Sequence, residues 1–264
     1  MSKFNFSIKR KLIFIIIFLI VLIDLGAQPA NWDIVTQSTE WFVLATTMKV
    51  SNRINLYADA HLRYVHSFEP AQDQIRVAGE WVISKKLTIV PFGYVYVRNF
   101  IYGEQPAAYI NNEHRIYQQA VLKYTSGKFG FNHRFRIEER FIQTHHSDPS
   151  GEVIDDGFDE NKQMRFRYRG SITYPLNKSK IEPKALFLSV YDEFFISWGK
   201  KVTFHKPDQN RIFAGLCYQF TKDISLQSGF FYQMLIKSNG AKQENNVGIM
   251  TQLTYNLDLT KKKD

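Results

Sequence analysis

Arginines recur through this chain at a spacing that carries chemistry. Arg134, Arg136 and Arg140 fall on alternate positions with Glu138, and Arg165, Arg167 and Arg169 repeat the pattern one segment later. A guanidinium makes planar, bidentate bonds to carboxylates. Alternation of this kind puts a row of cations on one side of an extended strand, where they can pair with acids or attract anions. The row comprises Arg63, Arg76, Arg115, Arg134, Arg136, Arg140, Arg165, Arg167, Arg169 and Arg211, with Glu80, Glu113, Glu138 and Glu193 as its acidic members and Asp59 beside them. Arg98 lies in a strand-like segment too, and the same argument assigns it to the same side. Only Arg10, near the N-terminus, and Arg53, in a turn, stand apart.

Other candidate chemistry is weaker. Residues 143–161 hold His145, His146, Asp148, Glu152, Asp155, Asp156, Asp159 and Glu160. Such a set suits a metal ion in principle, but its spacing lacks the regular alternation of a calcium loop. A solvated acidic loop is expected, with the added hypothesis that it folds inward onto the arginines as a plug. No Gly-x-Ser-x-Gly is present. His133 and Ser228 are the Ser–His candidates for an outer-membrane phospholipase. The lone Cys217 excludes an internal disulfide. No catalytic residue, metal or cofactor is predicted.

The N-terminus reads as an address. Lys3, Lys9, Arg10 and Lys11 precede an unbroken apolar run, Leu12 to Ile23, and small residues follow. This is the layout of a secretory signal peptide over 1–27, since the run is shorter than the ~20 residues a spanning helix needs. The formal charge of +9 then divides into +3 in the signal (four cations and Asp24) and +6 in residues 28–264, read as a single domain. The mean hydropathy of −0.29 resembles that of a soluble protein, yet aromatics reach 15%, too many for disorder.

The elements that must carry the arginines are strands. Ile54, Leu56, Ala58, Ala60 and Leu62 alternate with Asn55, Tyr57, Asp59, His61 and Arg63. Similar period-two segments cover about 39–50, 73–83, 87–99, 112–124, 129–142, 162–175, 183–197, 211–220, 224–236 and 246–257. Their lengths match the ~9–11 residues of a tilted strand crossing a bilayer. Short connections alternate with longer ones at 67–72, 100–111, 143–161, 198–207 and 237–244, as in outer-membrane barrels with short periplasmic turns and longer outer loops. The expected fold is an all-β, antiparallel transmembrane barrel of ten to twelve strands. Twelve is favoured, with a short extra strand at Trp32–Gln37; the alternative threads 28–38 through the barrel.

Side-chain energetics select the inner face. An arginine facing lipid at mid-depth costs ~2–4 kcal/mol. The arginine row must therefore line the lumen, leaving Phe135, Ile137, Phe166, Ile172, Leu188, Ile212 and Leu216 for lipid. His114, Gln118, His133, Glu139 and Asp192 break this pattern.

Several strings resemble a known family: Glu113-His-Arg-Ile-Tyr-Gln-Gln119, His133-Arg-Phe-Arg-Ile-Glu-Glu-Arg-Phe141, Arg165-Phe-Arg-Tyr-Arg169, Tyr191-Asp-Glu193 and Asp208-Gln-Asn-Arg-Ile-Phe-Ala-Gly215. Over about 30–259 the chain resembles domain of unknown function 2490, an uncharacterised outer-membrane β-barrel family of Bacteroidetes. The resemblance implies a barrel and supplies no reaction.

The combined expectation is a non-enzymatic outer-membrane protein, either a structural barrel or a narrow channel. Its partners are outer-membrane lipid, the barrel assembly machinery during biogenesis, and a small anionic solute. Dispersed, exported arginines argue against nucleic acid. The competing classes are an outer-membrane lipid-modifying enzyme and a soluble secreted β-barrel carrier of apolar ligands.

Overall fold

A computed structural model of the chain describes residues 33–103, 109–158, 163–199, 202, 207–237 and 242–260. The expected signal peptide, 1–27, and Trp32 lie outside them. Twelve strands form one sheet: β1 (Asp33–Lys49), β2 (Ile54–Val65), β3 (Glu69–Val82), β4 (Leu87–Asn99), β5 (Asn111–Ser126), β6 (Phe129–Ser147), β7 (Val153–Phe158), β8 (Gln163–Pro175), β9 (Ala185–Trp198), β10 (Gln209–Gln219), β11 (Ile224–Ile236) and β12 (Lys242–Asp258). Strand alternation drives this. In β6, Arg134, Arg136 and Glu138 are buried while Phe135 and Ile137 between them are exposed.

Each barrel strand pairs with its predecessor, β6 pairs with β5 and β8, and β12 lies beside β1. The ring of eleven strands, all but β7, therefore closes on itself. β7 stands outside the ring, paired with the end of β6 through Gln143, His145, His146 and Ser147. Eleven strands make the barrel and the twelfth is a hairpin extension. Twelve strands are present as expected, but the twelfth is not at Trp32–Gln37. Asp33–Gln37 runs without interruption into β1, and the extra strand lies in the acidic segment that the sequence presents as a loop.

An odd ring has a topological consequence. Successive hairpins reverse direction, so the first and eleventh ring strands run the same way. Gln37 donates to Asn246 Oδ1 (2.6 Å) near one end of the seam, and Leu259 N donates to Lys49 O (3.0 Å) at the other. The residue numbers rise together on both strands, so β1 and β12 are parallel, the exception in an otherwise antiparallel barrel. A Cβ on Gly248 would overlap the Thr39 backbone, so this seam requires glycine there. A second close approach occurs at Gly93, whose missing side chain is replaced by the ring of Tyr117, its register partner on β5.

Connection lengths sort by end with two departures. The short-turn end carries 50–53, 83–86, 127–128 and 220–223, and the opposite end carries 100–110 and 199–208. On the long-loop side, β2 and β3 are joined by only His66, Ser67 and Phe68, all in the left-handed region (φ 47°, 64° and 77°). On the short-turn side, 176–184 is longer than expected.

The barrel's polarity is inverted relative to a soluble domain. Phe42, Leu44, Ile75, Val77, Phe92, Ile137, Val190, Leu216, Phe230 and Ile249 are exposed on its outside. Aromatic side chains gather toward both ends of that surface. Phe129 and Tyr174 (4.9 Å between centroids), Tyr124 and Phe131 (5.0 Å), and Tyr218 and Phe220 (4.8 Å) stand at the short-turn end. Phe42, Tyr64 and Phe68 cluster toward the other.

Candidate functional site in the barrel interior

The interior is built from the inward position of each alternating pair. Arg63, Arg76, Arg115, Arg134, Arg136, Arg165 and Arg167 are buried there, and Arg140, Arg169 and Arg211 are half-buried on the same faces. Glu113, Glu138, Glu193 and Asp59 are buried beside them. Glu80 sits near the short-turn end, half-buried, and accepts from Asn55 Nδ2 (3.3 Å) rather than from an arginine. Arg98 departs from expectation. It is exposed on the outer face at the long-loop end of β4, over the ring of Phe100 (5.2 Å) and opposite Asp73 in register. A lipid penalty, on which the sequence expectation rests, applies at mid-depth and fades toward the interface, so it places no demand on a residue at a strand end.

Between β5, β6, β8 and β9 the charges form a lattice. Glu138 accepts from Arg165 Nη2 (2.5 Å), Arg167 Nη1 (2.6 Å) and Arg136 Nη1 (3.4 Å). Glu193 accepts from Arg134 Nη2 (2.5 Å) and Arg167 Nη2 (2.8 Å). Glu113 is chelated by Arg115 (2.7 Å to each oxygen) and by Arg140. Asp59 on β2 meets Arg76 (3.3 Å) and His61 (3.2 Å) and accepts from the Tyr57 hydroxyl (2.5 Å). Buried charges are costly unless each is paired and hydrogen-bonded, and sharing one carboxylate among several guanidiniums meets that demand. Aromatic faces support the cations. Arg136 lies 4.0 Å over Tyr117, and Arg167 lies 4.6 Å over Phe195.

This belt divides the interior. Toward the long-loop end is a cavity of about 420 Å³, whose walls include Trp41, Arg63, Arg115, Arg165, Arg211 and Lys237. Toward the short-turn end is a second, of about 590 Å³, lined by Lys85, Lys86, Lys123 and Arg169 among hydroxyl and amide side chains. The two share no lining residue among those described. Arg76, Arg134, Arg136, Glu138, Arg167, Glu193, Tyr117 and Phe195 line neither and fill the space between.

Several interior residues escape the sequence reading. Glu244 is buried at the long-loop end of β12, ion-paired to Lys237 and accepting from Gln37 (2.9 Å), Asn246 (2.6 Å) and Tyr102 (3.1 Å). Extending the inward parity of Met250 and Asn246 one step reaches it, so the signal was present. Trp41 is buried against Phe231 (4.1 Å) in an interior apolar cluster, with Arg63 and Arg211 over its ring, and nothing in its identity separates it from outward aromatics. Cys217 points inward as expected and is buried.

The acidic segment does not plug the barrel within the described residues. His146 contacts Asp156 Oδ1 (2.6 Å), Gln143 Nε2 donates to Asp155 (2.7 Å), and Asp148 accepts from Ser150 N (2.9 Å) and Glu152 N (2.9 Å). These bonds build the exposed β6–β7 hairpin and leave the interior arginines to strand carboxylates. Asp159 and Glu160 lie outside the described residues. No cluster of three or more metal-ligating side chains occurs among the described residues.

The parity-breaking polar residues lie on the outward parity of their strands, three of them beside a named local partner and Asp192 buried there. His114 meets Tyr94 Oη (2.5 Å), His133 meets Tyr168 Oη (2.7 Å), and Asp192 accepts from Asn210 (2.7 Å). Gln118 is exposed and Glu139 is half-buried. His133 on β6 and Ser228 on β11 are separated by β8, β9 and β10, and Ser228 bonds Thr251 Oγ1 instead (2.9 Å). The fold does not bring that pair together.

A family model described as a protein of unknown function, DUF2490, matches residues 39–245. The chain belongs to the DUF2490 family. The DUF2490 match takes in every interior arginine from Arg63 to Arg211 together with Glu244. No curated protein matches the chain. Among solved structures it is similar to the NanC porin in a rhombohedral crystal form, at 14% identity and a TM-score of 0.46, over 84% of this chain and 99% of that one.

Proposed function

We propose that this DUF2490 protein is a non-enzymatic outer-membrane β-barrel, a structural barrel or narrow channel with an arginine-rich lumen that prefers anions. One observation carries the reading: a closed barrel with large apolar side chains outside and buried ion pairs inside. Apolar surface on that scale is unstable in water, and the inner arginines would each cost ~2–4 kcal/mol if turned to lipid at mid-depth. The arrangement suits a bilayer. It opposes the carrier of apolar ligands, whose polarity would be the reverse. The signal-like N-terminus and the aromatic bands at both barrel ends point to the outer membrane.

Cationic side chains outnumber acids at both ends. The long-loop cavity carries Arg63, Arg115, Arg140, Arg165, Arg211 and Lys237 against Glu113, Asp208 and Glu244. The short-turn cavity carries four cations and no carboxylate among its described lining residues. Such a field concentrates anions. The filled belt limits flow, so the expected conductance in a planar bilayer is far below that of an open pore, with chloride favoured over potassium. Recovery of the protein in a soluble fraction, or a large cation-selective conductance, contradicts this reading.

A further inference from the structure

Resting on the barrel reading above, we infer that the long-loop cavity is a binding site for a small organic carboxylate, held between Arg63 and Arg211 against the ring of Trp41. The argument begins with how the interior treats its other arginines. Arg115 and Arg140 share Glu113, Arg165 and Arg167 share Glu138, and Arg134 and Arg167 share Glu193. Arg63 and Arg211 have no acid of their own: Arg211 stands opposite Glu193 in the β9–β10 register, but Glu193 is ion-paired to Arg134 and Arg167. The Arg63 guanidinium lies 4.0 Å from the Trp41 ring centroid and that of Arg211 lies 4.9 Å from it. They are therefore no farther apart than the sum of those distances. Both line the cavity, and neither ion-pairs with a described carboxylate. Arg63 donates to the amide oxygens of Gln72 and, at 3.5 Å, Gln74, while its buried Nε has no hydrogen-bond partner.

The cavity's own acids do not fill this role. Glu113 is committed to Arg115 and Arg140, and Glu244 to Lys237. Asp208 lines the same space, but neither Arg63 nor Arg211 pairs with it, and its Oδ1 is unpartnered. A carboxylate entering from the long-loop end would complete the motif the belt repeats, two guanidiniums on one carboxylate. Trp41, Val65 and Leu235 give its carbon skeleton an apolar wall, and Gln72 and Gln233 supply amides beside it. A volume of about 420 Å³ accommodates a small molecule.

Isothermal titration of the refolded full-length protein in detergent tests this, with succinate as the probe and succinamide as its uncharged counterpart. Succinate is expected to bind and succinamide not. Arg63→Gln and Arg211→Gln are each expected to weaken succinate at least tenfold, whereas Arg53→Gln, in an exposed turn, leaves it unchanged. Arg211→Lys, which retains charge but not the planar fork, is expected to fall between wild type and Arg211→Gln. Heat-modifiable gel mobility checks that each variant is folded. Absence of succinate binding by a folded barrel, or wild-type binding by folded Arg63→Gln and Arg211→Gln, overturns the site while leaving the membrane-barrel reading intact. Tighter binding of glycerol phosphate than of succinate overturns the carboxylate assignment. Failure of the wild-type protein to enter vesicles would instead contradict the barrel reading, because the titration needs no membrane.

Discussion

Arg136 stands directly across from Arg167 in the β6–β8 register, and both guanidiniums donate to the same oxygen of Glu138, at 3.4 and 2.6 Å. Like charges opposed across strands repel. Here the repulsion is offset by placing a carboxylate one inward step along β6, where Arg165 is its register partner and also donates to it. Glu138 is therefore a keystone for three arginines. Glu138→Gln removes the charge while keeping the shape, leaving Arg136 and Arg165 without their carboxylate. The barrel is expected to lose about 3–5 kcal/mol, the usual cost of breaking a buried pair. Urea unfolding in detergent, read from gel mobility, measures it; Glu80→Gln, which disturbs no arginine, should cost under about 1 kcal/mol.

The parallel seam makes a separate prediction. Gly248 faces the Thr39 backbone with no room for a side chain, whereas a Cβ at Gly79 would meet nothing within 4 Å. Gly248→Val is expected to force β1 and β12 apart and to reduce the folded, heat-modifiable fraction sharply. Gly79→Ala should fold like wild type. Equal yields for the two would mean that the seam is not closed as described.

Deleting residues 147–158 tests the hairpin. The exposed carboxylates of this segment bond within it, and the interior arginines are satisfied from the strands. Planar-bilayer conductance is therefore expected to be unchanged by the deletion. A rise would restore the inward-folding plug.

The hairpin's tip has its own pH dependence. The Ser150 hydroxyl and the Glu152 and Ser150 backbone N–H groups hold the Asp148 carboxyl below its usual range. A depressed pKa means that the ionised acid contributes to order above the unfolded value, and that this order is lost as pH falls through the folded one. Amide exchange at Ser150 and Glu152 is expected to be flat between about pH 5 and 8, after correction for intrinsic rates. Protection should fail only below about pH 4, the range where aspartate ordinarily titrates.

On the proposed membrane reading, much of this architecture was legible because a lipid penalty is severe at mid-depth. Phe135, Arg136 and Ile137 admit one orientation, and 87–99 and 224–236 match their strands to the residue. Legibility faded where the penalty fades. Arg98 lies at a strand end and turns outward. The turn at His66–Phe68 contains no glycine to announce its left-handed backbone. β7 is acidic and leaves the ring, so neither lipid nor lumen imposes alternation on it. The interior site was half visible. Arginine parity marked the ladder, but Trp41 and the missing acid between Arg63 and Arg211 are properties of three-dimensional neighbours from β1, β2 and β10.

The inverted polarity of a membrane barrel is the central claim, and two adjacent residues test it. Ser189 is buried and lines the short-turn cavity, while Val190 beside it is 46% exposed on the outer surface. Bimane attached to Ser189→Cys or Val190→Cys, each in a Cys217→Ser background, would be measured in vesicles containing brominated phospholipid. Strong quenching at position 190 with little at 189 is the predicted result. Equal quenching at both, or stronger quenching at 189, would contradict a barrel that turns its apolar face to lipid.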